Sequence, residues 1–185
     1  DRIGGNIRIG ASDIFLTEAC EYTNSFLSFY PRYSIILNVE EDHLDFFKDI
    51  EDIKKSFHTF ASQTAKDGLI IINGDMEHTQ AVLDGLTQKV GTFGLGEGND
   101  YRALDCTTDE LGNVSFCLVV NNEDRGRISL AVKGLHNVTN ALSAIACALD
   151  IGLSLDEIKR GLLSFPRFLS LCIFSRAKGK DVPDP

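Results

Sequence analysis

Three short segments combine residue types whose spacing could do chemistry. In Glu18-Ala19-Cys20-Glu21-Tyr22-Thr23-Asn24-Ser25-Phe26 a carboxylate arrives directly after an apolar run. Ligands of open α/β sheets bind at the carboxyl ends of strands, which places Glu18 to act, although an exposed strand-top carboxylate is an equally simple reading. In Asn38-Val39-Glu40-Glu41-Asp42-His43-Leu44-Asp45, again just beyond an apolar run, carboxylates crowd around one histidine. Such a set suits a hard divalent cation that keeps most of its waters and takes one or two protein ligands. Zinc fits less well, because neither a second close histidine nor a cysteine pair accompanies His43. A solvated acidic turn with a helix cap is the alternative. In Gly134-Leu135-His136-Asn137-Val138-Thr139-Asn140-Ala141 a glycine turn opens a helix with His136, Asn137 and Asn140 near its first turn. Helix starts offer free N–H groups, and amide side chains can read a base edge through a paired donor and acceptor. Plain capping competes for Asn137; it explains less of Asn140, which falls inside the helix.

The elements that must hold these segments follow from hydrophobic period. Ile14 to Ala19 and Tyr33 to Val39 are short apolar, β-branched runs, too continuous for one wet face, and both read as buried parallel strands. From Asp49 the apolar positions Ile50, Ile53, Phe57, Phe60 and Ala61 recur at helical spacing, with Asp49 as cap. Gly68 to Asn73 is another continuous strand, followed by a helix through Leu86 and a strand from Lys89 to Leu95. Alternation of strand and helix predicts an α/β fold with a mostly parallel sheet flanked by helices. Farther on, Val114, Phe116, Leu118 and Val120 alternate, as do Ile128, Leu130 and Val132, around an Asn121-Asn122-Glu123-Asp124 turn, which predicts a small antiparallel β subsheet. Val138, Ala141, Leu142, Ile145 and Leu149 share one helix face, and Ser154 with Glu157 has capping-box spacing at the start of a second helix. Period is lost in the segment from Pro166 to Pro185, which reads as a divergent, irregular tail.

Composition narrows the function. The 185 residues and 43% hydrophobic content suit one globular domain, and 27 acidic against 18 basic residues give a net charge of -9. That balance argues against a nucleic-acid partner or an anionic membrane surface. It leaves room for ATP, which backbone N–H groups and a bound cation can hold locally. The five cysteines form no C-x-x-C pair, so a reducing, cytoplasmic setting is expected, and no apolar run approaches a membrane span.

The three segments, in this order, resemble the Mur ligases, whose central ATP-binding domain carries an E-x-x-E-S type segment, an N-x-x-x-D-H-x-D segment and a G-x-H-N-x-x-N-A segment. The form with Glu18, Glu21, Ser25-Phe26, Pro31, Asn38 and Asp42-His43-Leu44-Asp45 is most similar to the member that adds L-alanine to UDP-N-acetylmuramate. The resemblance runs from about Gly4 to Phe165, so residues 1–165 are expected to be a partial central domain and 166–185 a foreign-looking tail, such as a shifted reading frame would produce.

The resemblance implies a P-loop-NTPase-like fold and an ATP- and Mg2+-dependent ligase of peptidoglycan synthesis. ATP would phosphorylate a carboxylate of UDP-N-acetylmuramate, and the amine of L-alanine would attack the acyl phosphate. It implies Glu18 and His43 as magnesium ligands, Asn140 on the adenine, His136 and Asn137 lining the nucleotide or reaction site, and Asp45 orienting His43. Cys20 departs from the aspartate many members carry. No G-x-x-G-K-[ST] segment occurs in the chain, so the first strand and phosphate loop of the fold are expected to lie outside it, and this chain alone is expected to be inactive, with an open sheet edge available for self-association. Two other readings stand beside this one: a ligase that re-attaches a recycled tripeptide to UDP-N-acetylmuramate, and a non-catalytic nucleotide or sugar-nucleotide binding module.

Overall fold

The computed structural model describes residues 12–164 and the backbone of residues 173–176. Six strands form the main sheet: β2 (Tyr33–Ile36), β3 (Leu69–Asn73), β4 (Lys89–Gly94), β5 (Tyr101–Thr108), β6 (Asn113–Val120) and β7 (Glu123–Lys133), hydrogen-bonded in that order. The pairs β2–β3, β3–β4 and β4–β5 are parallel, while β5–β6 and β6–β7 are antiparallel. Helices α1 (Ile50–Ser62) and α2 (Thr79–Leu83) cover one face; α3 (His136–Asp150) and α4 (Leu155–Ser164) cover the other.

Burial on both faces explains the continuous apolar runs. In β3, Leu69 and Ile71 enter the core under α3 and α4, while Ile70 and Ile72 enter the core under α1 and α2, and all four are at most 1% exposed. Tyr33 and Ile35 against Ile36 repeat the division in β2. The one buried polar residue of β2, Ser34, pairs its hydroxyl with that of Thr64 at 2.6 Å, as burial of a hydroxyl requires.

One expectation is corrected. The run at 14–19 forms only β1 (Ile14–Thr17), outside the main sheet and paired antiparallel with β8 (Ile173–Arg176). With a single strand neighbour and no layer on both faces among the described residues, Ile14, Phe15 and Leu16 stay 39%, 53% and 43% exposed. Within the tail, residues 173–176 form a strand; the rest of 165–185, like Gly4-Gly5-Asn6, lies outside the described residues. An element absent from the period analysis is β5, in which a register shift between Leu104 and Thr107 and a positive φ at Asp105 break the alternation. Arg127 clamps that bulge by donating to the Asp105 carbonyl (3.2 Å) and the Thr107 hydroxyl (2.6 Å).

This topology brings the three segments to one edge. Strand β7 runs in the same direction as β2 to β5, because β6 reverses the chain and β7 reverses it again. Its end at Lys133 therefore leaves the sheet on the side where β2, β3 and β4 end. Helix α3 then returns across β3, β4 and β5, and its last residue, Asp150, meets Lys89 at the start of β4 (2.6 Å). Its 15 residues span about 22 Å, and the 6 residues of β4 span about 20 Å. The first turn of α3, with His136, Asn137 and Asn140, thus stands at the edge where β4 ends.

Candidate functional site

The first wall of the site is the turn after β1. A 3-10 segment, Tyr22–Ser28, is pinned to α1 by Phe26, which is 2% exposed and stacks on Phe60 (4.8 Å) and edge-on against Phe57 (5.2 Å). Inside it Thr23 and Asn24 adopt left-handed backbone, φ 55° and 58°. Each such non-glycine residue costs on the order of 1 kcal/mol. The turn is held by the Ser56 hydroxyl donating to the Asn24 side-chain oxygen, and by the Ser25 hydroxyl donating to the Tyr22 carbonyl (2.8 Å).

The second wall is the turn after β2. Val39 and Phe47, each 2% exposed, anchor its two ends in the same core as Phe26. Between them the Asp42 carboxylate accepts from His43 N–H (2.7 Å), and the His43 carbonyl accepts from the Phe46 and Phe47 amides (2.8 and 2.9 Å). His43 itself is left-handed, φ 53°. Asp49 then caps α1 by accepting from Asp52 N–H (3.0 Å), as its position in the sequence predicted.

The two turns meet at His43. Its Nε2 lies 3.4 Å from a Glu21 carboxylate oxygen and its Nδ1 lies 3.9 Å from Asp42 Oδ1, with His43 and Glu21 side chains each 34% exposed and Asp42 75%. One ligand atom from each of Glu21, Asp42 and His43 falls within 4.8 Å of the others. The carboxylate that meets the imidazole is Glu21, whereas Glu18 is exposed and stands outside this group. The reason is local: Glu21 immediately precedes the 3-10 segment that Phe26 pins toward α1, while Glu18 sits beside the solvent-exposed strand β1. The Asp45 carboxylate accepts the Tyr22 hydroxyl (2.9 Å), which pushes the phenol above its usual pKa.

A further part of the edge escaped the motif analysis. The Asp75 carboxylate, after β3, accepts from Leu95 N–H (2.6 Å), Gly96 N–H (3.1 Å) and the Asn99 amide (2.6 Å), tying the end of β3 to the loop after β4. Gly94 is required there, since a Cβ would come 2.4 Å from Asp75 Oδ2. Together with the turn after β2 this makes an open cleft of about 610 Å3, lined by Asn38, Glu40, Glu41, Asn73, Asp75 and His78. The signal in the sequence was the pair Asn73-Gly74-Asp75 and Gly94-Leu95-Gly96, each beginning on the last residue of a strand.

At the start of α3, Gly134 has φ +91°, and the His136 ring folds over it so closely that a Cβ would lie 2.7 Å from the imidazole. The Asn137 amide donates back to the Lys133 carbonyl (2.7 Å) and lies 3.1 Å from His136 Nε2, rather than capping the helix, and the Asn140 amide donates to Asn137 (3.4 Å). Leu135, at the cap position, supplies no side-chain bond. His136, Asn137 and Asn140 thus form one linked group at a helix start that no side chain caps, where the Asn137 and Val138 N–H groups donate to the Gly134 and Leu135 carbonyls (3.1 and 2.9 Å). No hydrogen bond or ion pair links this group to Glu21, Asp42 and His43 among the described residues.

Taken as chemistry, Glu21, Asp42 and His43 offer two hard oxygens and one imidazole on a half-exposed rim. That set fits a magnesium ion that retains several waters, and it lacks the thiolates or added imidazoles of a closed zinc site. The described thiols, Cys20, Cys106, Cys117 and Cys147, are all free, and no helix among the described residues is long and apolar enough to cross a membrane.

Comparison with known proteins agrees with this fold. The Mur ligase middle domain model matches residues 10–148. UDP-N-acetylmuramate–L-alanine ligase of Lachnospira eligens is 48% identical over 164 residues, covering 88% of this chain and 36% of that protein. The enzyme of the same name from Caldanaerobacter subterraneus subsp. tengcongensis is 43% identical over 165 residues, 89% of this chain and 36% of that one. Among solved structures, the UDP-N-acetylmuramate:L-alanyl-gamma-D-glutamyl-meso-diaminopimelate ligase from Neisseria meningitides superposes with a TM-score of 0.69 at 29% identity, over 79% of this chain and 44% of that one. UDP-N-acetylmuramate-alanine ligase MurC from Thermotoga maritima gives a TM-score of 0.64 at 26% identity, over 77% and 31% of the two chains. The chain therefore spans about a third of the length of the curated relatives it matches.

Proposed function

The chain belongs to the Mur ligase middle-domain family, and from that premise we propose that it is the metal- and nucleotide-handling part of an ATP-dependent ligase that adds L-alanine to UDP-N-acetylmuramate. The observation that carries the reading is the Glu21–His43 pair at the carboxyl edge of a parallel sheet, in a chain 41–48% identical to ligases of that name. Activity, substrates and a cytoplasmic setting are all parts of this proposal.

In this reading Glu21 and His43 hold a hydrated magnesium ion, with Asp42 beside them, and Glu18, the other carboxylate of the same turn, stays in the solvent. Magnesium would neutralise charge on the phosphates while the carboxylate of UDP-N-acetylmuramate is activated as an acyl phosphate. Asn140 hydrogen-bonds the adenine, and His136 and Asn137 line the nucleotide at the uncapped start of α3. The protein's own work is positional. Buried Phe26, Val39 and Phe47 fix the metal-side turns, and Lys89–Asp150 fixes how far α3 reaches.

The test is a chimera in which residues 12–164 replace the matching segment of the Lachnospira eligens ligase. ATP-dependent addition of L-alanine is expected, with Glu21→Gln and His43→Ala each lowering kcat at least a hundredfold, about 3 kcal/mol of transition-state stabilisation. A folded chimera that adds no L-alanine, or in which both substitutions are silent, overturns the proposal. The similarity to the Neisseria meningitides ligase favours a second reading, addition of a tripeptide, and an intact ligase carrying this segment with its own flanking domains, offered both amines, separates the two.

A further inference from the structure

Tyr22 touches both turns of the cation site and belongs to neither ligand set. Its ring lies 4.7 Å from the His43 imidazole with the planes 42° apart, its hydroxyl donates to Asp45 at 2.9 Å, and Phe46 meets it edge-on at 6.1 Å. It directly follows Glu21 in the chain, and Asp45 lies two residues after His43. One side chain therefore bridges the two backbones that must present Glu21 and His43 to each other. Both backbones need such a bridge, because Thr23, Asn24 and His43 all sit at positive φ, where a non-glycine turn relaxes unless its surroundings hold it.

We propose that Tyr22 is the positioning residue of the cation site, setting the ring plane of His43 and the spacing of the Glu21 and His43 turns through its contacts with the imidazole and Asp45. The inference rests on the cation-site reading above. It reassigns the orienting role: Asp45 acts on His43 through the tyrosine, and the imidazole keeps Nε2 toward Glu21 and Nδ1 toward Asp42. Aromatic contact restricts the ring's tilt, while the hydroxyl bond restricts where the tyrosine itself can stand.

The test uses the 185-residue chain and Mn2+ as probe, read by electron paramagnetic resonance. Native chain is expected to bind Mn2+, with Glu21→Gln and His43→Ala removing binding. Tyr22→Ala should weaken Mn2+ binding about tenfold, as loss of an outer-shell partner does, with little change in Tm. Tyr22→Phe, which keeps the ring, and Asp45→Ala, which removes the acceptor, should each lose about threefold, the size of one exposed hydrogen bond, and the double variant should lose no more than either. Equal affinity of native and Tyr22→Ala chains overturns the proposal; so do additive losses in the double variant, which also decides the matter if Tyr22→Ala does not fold. If native chain binds no Mn2+, the cation-site reading fails and the positioning is read without metal. A His43 Hε1 resonance displaced by the Tyr22 ring, returning to its free value in Tyr22→Leu, supports it, and an unmoved resonance overturns it.

Discussion

The two sides of the site solve one backbone problem in opposite ways. At the start of α3 the chain turns through positive φ at Gly134, where the absence of a Cβ makes the conformation nearly free and leaves room for the His136 ring. On the cation side the same region of backbone space is occupied by Thr23, Asn24 and His43. In the proposed reading His43 cannot be glycine, because its imidazole would hold the cation. Strain is therefore accepted where the residue at the turn must do chemistry, and it is offset by burying Phe26, Val39 and Phe47 on either side. Where the functional residues come after the turn, no strain is needed.

The largest expected effect breaks the anchored side. Phe26→Ala should destabilise the chain by about 3–4 kcal/mol and loosen the Glu21 turn, so that urea denaturation shows a lower midpoint and Mn2+ affinity falls together with it. If stability drops while Mn2+ affinity holds, the anchors are not what keeps the strained turns in place. On the relaxed side, Gly134→Ala places a methyl group against His136 and forces L-residue backbone to φ +91°. A loss of about 1–2 kcal/mol is expected, with displacement of His136 visible as a changed imidazole resonance and with Mn2+ binding unaltered. A loss of Mn2+ binding in Gly134→Ala would show that the two sides are coupled and that the contrast is false.

How far the sequence foretold this contrast depends on what each feature requires. Strands β2 and β3 were legible because Tyr33-Ser34-Ile35-Ile36 and Leu69-Ile70-Ile71-Ile72 are covered on both faces, which leaves an unbroken apolar run. Strand β5 was not, since Arg102 and Asp105 interrupt it and its bulge depends on Arg127 reaching across from β7. The place of His43 just beyond β2 was legible from the apolar run that precedes it. That Glu21 and not Glu18 lies beside the imidazole was not, because both carboxylates follow the same apolar run and only the backbone path into the 3-10 segment separates them. Asp75 escaped because its partners, Leu95, Gly96 and Asn99, are 20 or more residues away and meet it only once β3 and β4 lie side by side.

The two helix starts sharpen the contrast at smaller cost. Helix α4 is closed by a reciprocal capping box, with Ser154 N–H and hydroxyl donating to Glu157 (2.9 and 2.5 Å), whereas α3 opens with no side-chain cap. Ser154→Ala should cost about 1 kcal/mol without touching Mn2+ binding. The Ser154 donors hold the Glu157 carboxyl below its usual pKa. Its contribution to α4 is therefore complete above the unfolded carboxylate's pKa and is lost as pH falls through the lower folded value. Circular dichroism on acidification should show helix loss that Glu157→Gln makes independent of pH in that window; an unchanged acid transition would exclude the cap as its source.

The smallest effect tests the strain itself. Thr23 is exposed, and its hydroxyl shares only an exposed contact with Ser25 (3.0 Å), so Thr23→Gly removes left-handed strain at little other loss. Glycine also gains freedom in the unfolded chain, which offsets part of the relief. The balance favours the folded state by roughly 0.5 kcal/mol, since positive φ penalises threonine by more than the entropy costs glycine. Asn24→Gly should run the other way, because it also deletes the acceptor of the buried Ser56 hydroxyl. Opposite signs at adjacent residues with nearly equal φ would separate backbone strain from side-chain anchoring. If both substitutions destabilise, the left-handed turn is favoured by its side chains, and the cation side carries less strain than its dihedral angles imply.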